Sequence, residues 1–164
     1  LNQLDQLKLP MLGLDASLVL VYRDEYNKAL GANRGDFNVQ LLHEWLVKQI
    51  LPKAPDTAEF ALLAHCTEKT ALPETEKAWQ QIFSQAGLSL KPVSVGCCGM
   101  AGTYGHEGQN LENSKNLFEM SWRLPIEHYG VANTLVTGFS CRSQVKRLLG
   151  DKPKHPLQAL LQRL

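Results

Sequence analysis

Glu59-Phe60-Ala61-Leu62-Leu63-Ala64-His65-Cys66 is the stretch on which the fold turns. Its apolar residues run on without alternating with polar ones, as in a strand buried on both faces of a parallel sheet. A cysteine follows directly. Three other runs read the same way: Ser17-Leu18-Val19-Leu20-Val21-Tyr22, Leu90-Lys91-Pro92-Val93-Ser94-Val95 and Asn133-Thr134-Leu135-Val136-Thr137. Cys97 and Cys98 follow the third of the four runs, and Cys141 follows the last.

Helical periodicity fills the intervals. Asp36 is placed to cap a helix with Phe37, Leu41, Leu42, Trp45, Leu46 and Ile50 on its apolar face. Pro52 and Pro55 end it. A second helix starts at Pro73-Glu74-Thr75-Glu76, carries Ala78, Trp79, Ile82, Phe83 and Ala86, and stops at Gly87. A third covers about 110–129 and is broken or kinked by Pro125. A fourth covers about 141–149, and 156–164 closes the chain. Strands alternating with helices predict an α/β fold with a four-stranded, mainly parallel sheet and helices on its faces. Ligands of open parallel sheets bind beyond the carboxyl ends of the strands. The fold therefore gathers Cys66, Cys97, Cys98 and Cys141 at one edge.

The chain has 164 residues, one domain's worth, with 1–16 as a lead-in and 151–164 as a C-terminal tail. Apolar residues make up 44% and charged residues 20%, the balance of an ordinary globule rather than a disordered chain. The formal net charge of +1 lacks the basic excess of a nucleic-acid binder. No apolar run approaches the ~20 residues of a transmembrane helix. The opening Leu1-Asn2-Gln3-Leu4 has neither an initiator Met nor a signal-peptide pattern, and reads as a fragment of a longer chain.

Four cysteines are too few for a disulfide scaffold of this size. In a reducing compartment they read as metal or redox chemistry. Soft thiolates suit iron–sulfur clusters or zinc. Zinc ranks second, because its structural sites favour close C-x₂-C pairs and none occurs. Gly96 and Gly99 flank Cys97-Cys98 and permit the sharp turn that lets adjacent cysteines share a site. Cys141 opens a helix, whose N-terminus favours negative charge. Arg142 and Lys69 are cations close in sequence to the thiols. Four inert buried cysteines are the plainer alternative.

The run Gly96-Cys97-Cys98-Gly99-Met100-Ala101-Gly102-Thr103-Tyr104-Gly105 resembles the cysteine-rich CCG domain. Such domains occur in heterodisulfide reductase, anaerobic glycerol-3-phosphate dehydrogenase, glycolate oxidase and lactate-utilisation iron–sulfur subunits. His65-Cys66-Thr67-Glu68-Lys69 and Gly138-Phe139-Ser140-Cys141-Arg142-Ser143-Gln144 resemble two other cysteine segments of that family. The combination, over about 13–150, looks most like the C-terminal part of FAD-linked D-2-hydroxyacid dehydrogenases.

The resemblance implies an iron–sulfur electron-transfer domain, with a 4Fe-4S cluster on Cys66, Cys97, Cys98 and Cys141. His65, Gly96, Gly99 and Arg142 would support it. FAD would bind elsewhere in the parent chain, where D-lactate or D-2-hydroxyglutarate is oxidised. Partners would be flavin and ferredoxin-like domains of that chain and a quinone or carrier. This piece alone would then be catalytically inactive. The expected location is cytoplasmic, because thiolate ligands need reducing conditions and no export signal is visible, or peripheral at the inner membrane through the parent enzyme. Gln144 stands where the family pattern has the second cysteine of C-x-x-C, and Ala16-Ser17-Leu18 where many relatives have Pro-Ser-Cys. The larger cysteine set of heterodisulfide reductase therefore does not carry over. A cluster-free docking module and a zinc-stabilised domain are the alternatives.

Other residues carry less. His106 reads as a polar loop residue before it reads as a ligand. A phosphatase reading of His65-Cys66 fails for want of an Arg a turn later, where Ala71-Leu72-Pro73 stands. Cys66 as a nucleophile with His106 as base ranks low. Arg23 is expected to pair with Asp24 or Glu25 rather than to balance a cluster. Trp45, Trp79 and Trp122 sit at helical core positions.

Overall fold

The computed structural model describes residues 3, 6, 7, 9–34 and 38–164, the Arg34 side chain excepted. In chain order the strands and α-helices are β1 (Met11–Gly13), α1 (Ala16–Leu20), α2 (Tyr26–Leu30), β2 (Val39–Leu41), α3 (Leu42–Leu46), β3 (Glu59–Leu63), α4 (Cys66–Ala71) and α5 (Thr75–Gln85). Then follow β4 (Ser89–Pro92), α6 (Leu111–Ser121), α7 (Arg123–Tyr129), β5 (Thr134–Val136), α8 (Phe139–Leu149) and α9 (Pro156–Arg163). The α/β class with parallel strands holds.

The main sheet is three-stranded, ordered β4-β3-β5, and both pairings are parallel. β3 is the central strand, and its alternate side chains face opposite ways. Phe60 and Leu62 pack with Trp79, Ile82 and Phe83 of α5 and with Ala159 and Leu160 of α9. Ala61 and Leu63 pack with Phe118, Trp122, Ile126 and Val145 of α6, α7 and α8. Helices thus cover both faces, which explains the unbroken apolar run. Trp79 and Trp122 are fully buried, one in each core, and a buried Trp contributes about 150–250 Å² of hidden surface. Trp45 only packs at the border of the first core.

The expected fourth strand is not in this sheet. The run 17–22 is helical, in α1 and the π-type turn Val21–Glu25 that follows it. An apolar run alone does not separate a strand from a buried helix segment. Asp15 decides it locally, because its carboxylate accepts from Ser17 N–H at 3.0 Å and caps α1. A separate parallel pair, β1 with β2, packs Val39 and Leu41 against Ala16 and Val19. β1 lies inside the expected lead-in. The expected helix over 36–50 is shortened to α3, because residues 39–41 pair with β1. Asp36 and Phe37 lie outside the described residues.

The later helices follow the expected pattern. The run 110–129 divides at Trp122, three residues before Pro125, into α6 and α7. The tail carries α9, which enters the first core.

Candidate functional site

Three strand ends build the site. β3 ends before His65 and Cys66, and Cys66 opens α4. The chain leaving β4 carries Cys97-Cys98 and bends at Gly99. β5 leads into α8, where Cys141 stands in the first turn. A cavity of about 760 Å³ opens at this edge, lined by Cys66, Cys97, Cys98, His65, Arg142 and Asp15, with Leu14, Leu18 and Phe139 among its apolar wall. Cys141 is buried against Cys98.

The thiols stand in two pairs. Cys98 Sγ and Cys141 Sγ are 3.1 Å apart and share a hydrogen bond. That bond holds the Cys98 thiol below its ordinary pKa and raises Cys141 well above its own, and burial adds to the rise. Cys66 and Cys97 are neighbours close enough to interact through their side chains. Burial raises the Cys97 thiol, against a bond from Gly99 N–H to its sulfur at 3.3 Å. All four cysteines are free.

Two glycines make the closeness possible. Gly99 has φ 89°, and a Cβ there would strike the Ser114 backbone on α6. Gly138 lies under the His65 ring and the Cys141 sulfur, where a Cβ would overlap the ring. Both are places where backbone must approach closely.

Buried polar groups lock the strand ends together. His65 N–H donates to Thr137 Oγ1 at 2.9 Å, and Thr137 in turn donates to Glu68. Thr75 donates to the other Glu68 oxygen at 2.7 Å. Burial raises the Glu68 carboxyl above its ordinary pKa. On the other side, Gln144 Nε2 donates to Ser114 O and Oγ at 3.2 and 3.0 Å. Arg147 bonds both Gly105 O and Ser114 Oγ. α6 and the turn at Gly105 are thereby tied to the helix that carries Cys141.

Two buried atoms of the cavity-lining side chains have no partner: His65 Nδ1 and Arg142 Nε. Burial lowers the pKa of both side chains. Asp15 bridges the walls, since its second oxygen accepts from Phe139 N–H at 3.2 Å.

The structure gathers most of the expected residues. Cys66, Cys97, Cys98, His65 and Arg142 line the cavity, with Cys141 beside Cys98. Gly96 is spent on the helices instead: its N–H donates to Ser121 Oγ, and its carbonyl accepts from Trp122 Nε1, each at 3.0 Å. His106 is exposed and does not line the cavity. Lys69 is tied to Val95 O at 2.6 Å. Arg23 pairs with Glu44, not with Asp24 or Glu25, because Glu44 sits in the first turn of α3 beside the Val39 carbonyl that Arg23 also binds. Asp24 pairs instead with Lys28 at 2.7 Å.

Asp15, Thr137, Ser114 and Gln144 join the site without having been expected there. Asp15 alone carries a local signal, a cap just ahead of an apolar run. In the sequence Gln144 marks only the second position of C-x-x-C.

Among the described residues, no three His, Cys, Asp or Glu side chains close on one point as the ligands of a single ion do. A multi-iron cluster takes its thiolates around a body rather than at a point. Four soft thiols at one edge, with an orphaned His65 nitrogen beside them, have the donor chemistry that such a group takes.

No protein-family model matches the chain, and no solved structure matches it. The chain is 52% identical over 99% of its length to D-2-hydroxyglutarate dehydrogenase of Pantoea ananatis, and 50% identical over 99% to that of Escherichia coli. It is 23% identical over 95% of its length to one component of the anaerobic glycerol-3-phosphate dehydrogenase of Escherichia coli, and spans 41% of that protein. The chain spans only 16% of the two D-2-hydroxyglutarate dehydrogenases it resembles at half identity or better.

Proposed function

We propose that this chain is the iron–sulfur electron-transfer domain of an FAD-linked dehydrogenase that oxidises a D-2-hydroxyacid, D-2-hydroxyglutarate before D-lactate. The observation that carries the reading is the convergence of four thiols from three strand ends on one cavity edge. The likeness to D-2-hydroxyglutarate dehydrogenases over nearly the whole chain supports the choice of parent enzyme.

Cys66, Cys97, Cys98 and Cys141 would hold the cluster. When bound, the cluster accepts and passes on single electrons. The chain's own residues do the rest. Gly99 and Gly138 let the backbone close on the thiols. The Glu68 bonds hold the ends of β3 and β5 together, and the Gln144 bonds hold α8 against α6. The unpartnered His65 Nδ1 and Arg142 Nε are left for a bound group to meet, and the Arg142 guanidinium balances negative charge there. FAD and substrate would bind in other parts of the parent chain, and a quinone or carrier would take the electrons. We place the protein in the cytoplasm, with peripheral contact at the inner membrane through the parent enzyme. Among the described residues, no helix is long and apolar enough to cross a membrane.

The test uses the full-length enzyme with Cys97→Ser and Cys141→Ser. Substrate should still reduce the flavin, while electron delivery to an artificial acceptor falls at least tenfold. Acceptor reduction at the parental rate contradicts the proposal.

A further inference from the structure

The run 17–22 is apolar on more than one side of its helix. Inward, Ala16 and Val19 are buried with Val39 and Leu41. Outward, Leu18 is 56% exposed and Val21 37% exposed. Leu14 and Phe139, also more than half exposed, stand with Leu18 in the wall of the thiol cavity. A helix that is hydrophobic all round is normally a buried one, and a contiguous exposed apolar patch marks an interaction surface. Phe139 is held at the mouth by two cations, Lys152 at 4.8 Å and Arg142 at 5.8 Å from its ring centre.

We propose that Leu14, Leu18 and Phe139 form the docking face for the part of the full-length protein outside these 164 residues. About five-sixths of each D-2-hydroxyglutarate dehydrogenase it resembles lies outside the matched stretch, which supplies an occupant large enough to cover the rim. The rim surrounds the opening through which Cys66 and Cys97 are half-exposed. A partner seated there excludes water from the thiols and brings its own redox group to the mouth. That second role rests on the cluster reading; the covering of the apolar face does not.

Hydrogen exchange tests it. Amides of 16–25 and 139–143 should exchange roughly tenfold more slowly in the full-length protein than in its Leu18→Glu variant. Equal rates in the two proteins overturn the proposal. Slow exchange in the full-length protein that quickens on dilution also overturns it, because a second copy then covers the face. Visible absorbance of the same samples keeps the two readings apart. A protected face in a colourless protein counts against the cluster and leaves the docking face standing. An unprotected face in a brown protein does the reverse.

Discussion

The Cys98 and Cys141 sulfurs stand 3.1 Å apart although 43 residues separate them in the chain. The hydrogen bond between them lowers the Cys98 thiol pKa and raises that of Cys141. Cys141→Ala should remove that bond and raise the Cys98 pKa to or above that of an ordinary thiol, since hydrogen bonding to the charged form is what lowers it. Thiolate absorbance against pH, in a chain with Cys66 and Cys97 changed to Ser, measures it. An unmoved titration shows that the contact is not maintained in solution.

Gly99→Ala combines a left-handed backbone, φ 89°, with overlap onto the Ser114 backbone. The expected loss is about 2–4 kcal/mol, from strain at φ > 0 together with overpacking. Urea unfolding reads it. A change below about 0.5 kcal/mol would mean that the loop has room to shift, as surface sites do.

Glu68 is 2% exposed, and its carboxylate accepts hydroxyl bonds from Thr75 and Thr137. Glu68→Leu leaves both hydroxyls without their acceptor, at a cost of roughly 2–4 kcal/mol. Glu68→Gln keeps one acceptor oxygen and should cost less. Equal effects of the two changes would show that one retained acceptor oxygen does not suffice, since Gln keeps the volume of Glu.

His155 caps α9 by accepting from Leu157 N–H at 3.1 Å, and burial pushes its pKa down to about 4 from an ordinary 6.5. The neutral form is thus the folded form. Stability from this group is complete above pH 6.5 and declines as pH falls toward 4, where the unfolded chain binds a proton that the folded chain refuses. The full difference is about 3 kcal/mol by the free energy of one pKa unit. His155→Asn retains a capping oxygen and should flatten this part of the stability–pH curve. The same slope in the variant would assign it to other groups.

The site is more legible in the sequence than the fold around it. A strand followed by a cysteine is a local pattern, and it occurs at Cys66 and Cys141 and more loosely at Cys97 and Cys98. The parallel-sheet rule then gathers them. Residues 17–22 mislead because an apolar run looks alike in a strand buried on both faces and in a helix with two apolar sides. The cap at Asp15 is the signal that separates them. The pairing of β1 with β2 joins short strands across a long interval, and neither strand has a periodicity of its own. Ser114 and Gln144 take their roles from partners 30 residues apart, and no local pattern records that.

The most direct test of the central claim is iron and acid-labile sulfide analysis of the chain purified and reconstituted without oxygen. About four irons and four sulfides per chain are predicted for a cubane cluster, with brown absorbance that Cys97→Ser abolishes. A colourless chain that takes up no iron under those conditions contradicts the account.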